Sequence, residues 1–424
     1  MPTKCHLQNL LRLQNDCVYL LPPNMIDIHA EQREVNLTEC CDGPVSFFGL
    51  AFSVTMHACI CGWVFSLLMC VVVCSGCPCE DPSLCQPITA IPKKEVFVFS
   101  VTDLSDVWSK YDWAVVTTVV TAGYVDDQLM CLAHSKGARI VTIVNFSPTK
   151  ELANSTLRDK WVAKQVTLVQ KHFLDGVNFD FEDEIPRDKP DYRDGYTSLV
   201  AETRKALKAL NPYTQVTVDV AWSPAHIDSR YYDYRGLALA SDFLFVMSYD
   251  ERSQIFGACV AAANSGYTTT LSGLMLYLDV LKVGASKLVL GVPWYGYDYP
   301  CTKLYSNNTC EIPHYPFRGV NCSDAAGRQY NYNIVIETLK NSTTGRLWDE
   351  NSKSPYFNFK STTDDQMHQM WYDDPESLTI KYKLVTTLNL RGAGMWQADA
   401  LDYSNTTQAA EQRKQMWKAI STIL

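Results

Sequence analysis

From residue 96 onward, short runs of β-branched and aromatic residues recur, separated by stretches whose apolar positions repeat every three or four residues. Val96–Val101, Trp113–Val119, Arg139–Val144, Gly176–Glu182, Gln215–Ala221, Phe243–Ser248, Leu288–Pro293 and Ala393–Gln397 read as eight strands. Between them, Trp161, Val162, Val166, Val169 and Phe173 share one helical face, ending at Asp175-Gly176. Leu199, Val200, Thr203, Leu207 and Leu210 share a second, closed by Asn211-Pro212. Leu271, Leu274, Met275, Leu278 and Leu281 form a third, closed by Gly284. Strands and helices in alternation, eight times over, predict an α/β chain folded as a (β/α)8 TIM barrel. A doubly wound open sheet is the alternative, but no G-x-G-x-x-G follows the first strand. The segment Tyr297–Ser361, rich in Asn, Tyr, Pro and Cys, reads as an elaborated loop after the seventh strand, on the active-site face of a barrel.

The first hundred residues follow another pattern. No charged residue occurs between Asp42 and Glu80, and Cys59 to Cys74 is almost wholly apolar. Small residues Ser75 and Gly76 come next, then the turn-rich Cys77-Pro-Cys-Glu-Asp-Pro. Residues 56–76 thus read as a secretory signal peptide starting at Met56, with a weak n-region that carries only His57. An uncleaved membrane anchor and a buried core helix are the other readings of this run. With Met56 as the start, residues 1–55 are an upstream extension of doubtful expression with no domain of their own, and 77–424 is the catalytic domain.

Composition narrows the function classes. Hydrophobic residues are 47% and charged ones 20%, enough to bury a large core. The net charge of −9, from 37 basic and 46 acidic residues, argues against nucleic acid as a partner. Sixteen cysteines point to an oxidising compartment. Cys77, Cys79, Cys85, Cys131, Cys259, Cys301, Cys310 and Cys322 follow the apolar run, an even number that suits disulfides without fixing their pairing. Asn145, Asn154, Asn307, Asn321, Asn341 and Asn405 begin Asn-X-Ser/Thr sequons. There is no H-E-x-x-H, no P-loop, no G-x-S-x-G and no Cys/His zinc spacing, so no metal or cofactor is expected.

The most informative stretch is Leu174-Asp-Gly-Val-Asn-Phe-Asp-Phe-Glu182. Strand alternation puts Val177, Phe179 and Phe181 on one face and Asn178, Asp180 and Glu182 on the other. The apolar face packs on helices, so the polar face points into the barrel, with Glu182 at the strand's C-terminal end. Carboxylates crowded in such a site repel one another and lose hydration, so one of them keeps its proton. An acidic strand end trailing into solvent, or a calcium site built from Asp180, Glu182, Asp183 and Glu184, is the plainer interpretation.

The full stretch resembles the Asp-Gly-x-Asp-x-Asp-x-Glu signature of glycoside hydrolase family 18, on the fourth strand, where that family places it. Phe245-Val-Met-Ser-Tyr-Asp250 resembles its sixth-strand Met-x-Tyr-Asp, Gly291-Val-Pro-Trp-Tyr-Gly296 its seventh-strand motif, and Gly394-Met-Trp-Gln397 its last strand. The resemblance covers about residues 77–424. It implies a retaining glycosidase acting on β-1,4-linked N-acetylglucosamine, in which the substrate's own acetamido group is the nucleophile. Glu182 would be the general acid, then the base. Asp180 would hold the acetamido N–H, and Tyr249 would donate to the acetamido oxygen. Met247 and Asp250 would shape the sugar pocket, Trp396 would be its floor, and Trp294 and Tyr295 would divide between core and sugar contact. Asn178 departs from the signature; it removes a charge beside Asp180 but can still hydrogen-bond it. Within the family, the compact chain suggests a monomeric lysosomal enzyme that splits the chitobiose core of Asn-linked glycans, with an N-acetylglucosamine-containing oligosaccharide as its partner and no permanent membrane anchor. A chitinase, an endo-β-N-acetylglucosaminidase and a catalytically silent lectin on the same barrel are the alternatives.

Overall fold

The computed structural model describes residues 76–424. The stretches read as an upstream extension, 1–55, and as a signal peptide, 56–76, lie outside the described residues apart from Gly76. Eight parallel strands close into a barrel: β1 (Glu95–Ser100), β2 (Thr118–Thr121), β3 (Arg139–Val144), β4 (Gly176–Phe179), β5 (Gln215–Ala221), β6 (Phe243–Met247), β7 (Leu288–Pro293) and β8 (Gly392–Trp396). Each pairs with its sequence neighbours, and β8 closes the ring on β1.

Two strands shift by more than one residue. The second strand is Thr118–Thr121 rather than Trp113–Val119. Val115 and Val116 donate their N–H groups to the Asp112 carbonyl, so the chain turns there while Trp113 and Val116 are buried. The fourth strand ends at Phe179, and Asp180 to Glu182 run past the last ladder bond.

The predicted faces of β4 hold. Phe179 packs on Trp161 of the helix Ser155–Lys171, ring centroids 5.5 Å apart, and on Tyr196 of the helix Pro190–Leu210 at 6.4 Å. Asn178 turns inward. The third predicted helix is Tyr267–Met275, continued by one wider π turn over Leu276–Val280. It buries Thr270, Gly273, Leu274 and Tyr277 rather than Leu271 or Leu278, because Tyr277 reaches the Ala221 carbonyl at 2.8 Å.

Aromatic rings fill the barrel. Phe97, Phe99, Phe243 and Phe245 are fully buried, and Phe97 lies 5.3 Å from Phe243 and 5.6 Å from Phe245. Each contributes about 1.5–3 kcal/mol by leaving water. Phe245 fits because two neighbouring strands carry glycine beside it. A Cβ at Gly291 would lie 2.3 Å from its ring, and one at Gly394 2.9 Å.

The elaborated segment after β7 carries a sheet of its own. Tyr295–Pro300, Arg328–Asn331, Leu347–Asp349, Ser354–Lys360 and Met367–Trp371 form a five-stranded antiparallel sheet. Tyr295, Tyr297 and Tyr299 alternate along a strand one in from its edge, a period-2 pattern that begins just before the segment Tyr297–Ser361. Disulfides join Cys79 to Cys131, Cys259 to Cys322 and Cys301 to Cys310. All six sequon asparagines after residue 76 are exposed.

Candidate active site

A cavity of about 410 Å³ opens at the C-terminal end of the barrel. Four strands contribute through their last residues or the turns that follow: Asp180 and Glu182 after β4, Asp219 and Ala221 on β5, Met247, Tyr249 and Asp250 from β6, and Trp396 ending β8. The inserted sheet and its connections close one side with Tyr297, Phe317, Ser323, Asp324 and Gln329. This is the face on which a TIM barrel presents its chemistry, because the βα loops there vary without disturbing the packed interior.

The carboxyl of Asp180 is pushed up to about 7, first by burial and then by the charge of Glu182, with Arg230 opposing. Sequence reasoning overlooked its neighbour Asp219. One residue beyond the bonded pair Phe179–Val218, Asp180 and Asp219 face each other on adjacent chains. Asp219 is fully buried, and burial, then Asp180's charge, holds its proton well above the ordinary carboxylate range. Its Oδ1 has no partner among the described residues. The alternation Gln215, Thr217, Asp219 against Val216, Val218, Val220 was the signal that could have found it.

Asn178 corrects an expectation. Its amide donates to Asp219 Oδ2 at 2.6 Å, not to Asp180, and its carbonyl accepts from Thr217 Oγ1 at 2.5 Å. The cause is register: Asn178 pairs across with Thr217, so its side chain meets β5 before it can turn along its own strand.

Glu182 lines the cavity, but its side chain is 48% exposed and Oε2 accepts a hydrogen bond from Arg230 at 2.6 Å. Burial therefore acts on Asp180 and Asp219, while Glu182 is held by an ion pair. Arg230 and Asp228, on the connection after β5, also escaped the sequence reading.

Tyr249 is 7% exposed, and its hydroxyl makes no hydrogen bond among the described residues. Burial, then the nearby Asp219, keeps it protonated far above its usual range. Met247 and Trp396 line the wall, with Trp396 5.3 Å from Phe99. Asp250 adopts a left-handed φ of 51°, and its N–H donates to Asn264 Oδ1 at 2.9 Å. The Tyr295 hydroxyl donates to Asp250 Oδ1 at 2.5 Å. Tyr295 thus stands one layer back from the cavity and orients Asp250. Trp294 points elsewhere: it is fully buried against Trp417, ring centroids 5.1 Å apart, where no sugar reaches it. Adjacent residues of an extended chain face opposite sides, so only one of this pair could turn toward the site.

A buried acid pair, a half-exposed carboxyl, a neutral phenol donor and a tryptophan face around one cavity suit proton transfer to a sugar ring seated on an aromatic floor. A model of the glycosyl hydrolases family 18 matches residues 143–400. The di-N-acetylchitobiase of Mus musculus is 46% identical over 346 residues, covering 81% of this chain and 92% of its own length. That of Homo sapiens is 46% identical over 346 residues, covering 82% of this chain and 88% of its own. The crystal structure of a chitinase from Chromobacterium violaceum superposes with a TM-score of 0.59 at 18% identity, over 77% of this chain and 98% of that one, a likeness of fold alone.

Proposed function

The chain belongs to glycosyl hydrolases family 18, and from that premise we propose that it cleaves the β-1,4 bond of the N,N'-diacetylchitobiose unit at the reducing end of glycans released from asparagine. The observation that carries this reading is that Asp180, Glu182, Tyr249 and Trp396 line one cavity. The sugar on the non-reducing side of the bond sits over Trp396, with Met247 and Asp250 beside it. Glu182 gives its proton to the glycosidic oxygen. The acetamido carbonyl of the same sugar attacks the anomeric carbon and displaces the leaving sugar, forming a cyclic oxazolinium. Asp180 takes the acetamido N–H and balances the positive charge, while Tyr249 donates to the acetamido oxygen and aligns it. The carboxylate now at Glu182 takes a proton from water, which opens the ring from the same side, so configuration is retained.

The proposed setting is the lysosome, reached through a cleaved leader, with the protein acting as a monomer. The test is hydrolysis of free di-N-acetylchitobiose, longer chitooligomers and asparagine-linked chitobiose, with wild type beside Glu182→Gln. Wild type is expected to release N-acetylglucosamine from the free disaccharide. The Gln variant is expected to lose about 10³-fold or more in kcat while still binding the sugar, as expected when a general acid is removed. Unchanged turnover in the Gln variant would remove Glu182 from the mechanism.

A further inference from the structure

The connection after β5 holds three non-glycine residues in the left-handed region: His226 at φ 60°, Asp228 at 55° and Ser229 at 59°. Such residues cost about 1–3 kcal/mol each and persist only where their surroundings impose them. Here the constraints are visible. The Asp228 N–H donates to Gln254 Oε1 at 2.9 Å, Ser253 Oγ donates to Asp228 Oδ1 at 2.9 Å, and Arg318 donates to the Asp228 carbonyl. The Tyr231 N–H donates to the Ile185 carbonyl at 3.2 Å, and the Tyr234 hydroxyl to the Arg230 carbonyl at 3.1 Å. The outcome is a fixed Arg230. Its side chain is 10% exposed, with Nη2 2.6 Å from Glu182 Oε2 and 3.6 Å from Asp228 Oδ2.

Glu182 lacks comparable support of its own. It lies beyond the end of β4, and among the described residues its side chain bonds only to Arg230. The acids beside it are directed elsewhere: Asp183 accepts from Thr149, and Glu184 pairs with Arg318 at 3.2 Å. The same connection also fixes the backbone there, since the Tyr232 hydroxyl donates to the Phe181 carbonyl at 3.2 Å. A single ion pair with a half-exposed partner adds little stability, so geometry is the more telling consequence of this strained loop.

We propose that Arg230 is a positioning residue for the reaction: it tethers Glu182 by Oε2 and leaves Oε1 directed to the glycosidic oxygen. This rests on the reading of Glu182 as the proton donor. A side chain as long and open as Glu182 would otherwise spread over several rotamers, and a misplacement of about 1 Å costs on the order of 10²-fold in rate. Once Oε1 has given up its proton, the same guanidinium stabilises the carboxylate left behind.

The experiment compares Arg230→Ala, Arg230→Lys and Glu182→Gln in the full chain, measuring kcat and KM on di-N-acetylchitobiose with melting curves alongside. Arg230→Ala is expected to lose about 10²-fold in kcat with KM within about threefold. Arg230→Lys, which keeps the charge without the fork, is expected to stay within about tenfold of wild type. Millimolar guanidinium should restore at least about fivefold of the activity of Arg230→Ala by filling the vacated place, and do nothing for Glu182→Gln. A wild-type kcat in Arg230→Ala, or a loss that guanidinium leaves untouched, overturns the inference. An active Glu182→Gln would instead overturn the underlying reading of Glu182.

Discussion

Replacing Tyr249 by Phe removes one oxygen from the cavity wall and little else. The ring keeps its packing, 6.5 Å from Phe245 and 6.1 Å from Tyr295 between centroids. The hydroxyl has no hydrogen-bond partner among the described residues, so its loss orphans no protein group and the melting temperature should move by about 2 °C or less. The catalytic cost is separate. Burial and neighbouring carboxylates keep the phenol neutral, hence a donor, far beyond physiological pH. A preorganised donor aimed at charge that grows during reaction is worth about 2.7–4 kcal/mol, or 10²–10³ in kcat. The cavity opens to solvent and water can partly replace the phenol, so the lower end applies: about a 10²-fold loss, close to 2.7 kcal/mol. The assay is steady-state release of N-acetylglucosamine from di-N-acetylchitobiose, with kcat and KM resolved. A kcat within about threefold of wild type, or an effect confined to KM, would refute the role of Tyr249 in holding the acetamido oxygen.

Two further outcomes follow from the burial of acids and from barrel packing. Burial, the largest cause at each, raises Asp180 and Asp250 to about 7, Glu251 to about 8 and Asp324 to about 6, against the hydrogen bonds that the last three accept. The folded chain therefore holds protons that the unfolded chain, with carboxyls near 4, has released. That stability is fully present below about pH 4 and is lost as pH rises through about 6 to 8. The melting temperature should fall by roughly 5 °C or more between pH 5 and pH 8 by scanning fluorimetry, and an equal or higher value at pH 8 would contradict the assignment. Gly291→Ala would put a Cβ 2.3 Å from the Phe245 ring and 2.8 Å from the Val246 carbonyl. It should cost about 1–3 kcal/mol by chemical denaturation, part of it recovered by adding Phe245→Leu, whereas no change would mean that the barrel interior yields more easily than its packing implies.

The sequence by itself determined the architecture and which residues of β4 face the barrel interior. Strand alternation is written locally: Val177 and Phe179 must leave water on one side, so Asn178 and Asp180 face the other, and no distant residue is needed to reach that conclusion. The same held for the barrel, since most of its strands carry their own apolar runs. At Tyr295, Tyr297 and Tyr299 the period-2 pattern is short, so the sheet within the elaborated loop is not legible from it. What only the tertiary structure decided are contacts between residues far apart in the chain. Asn178 meets Asp219, 41 residues on, because parallel pairing of β4 and β5 sets their register. Glu182 meets Arg230, 48 residues on, because a strained connection brings the guanidinium back to it. Trp294 is core and Tyr295 braces the site because Trp417, near the chain's end, packs against one face of that strand. Local periodicity records which way a side chain points. Which partner it finds, and so which carboxyl is buried and which is tethered, depends on how the whole ring of strands closes.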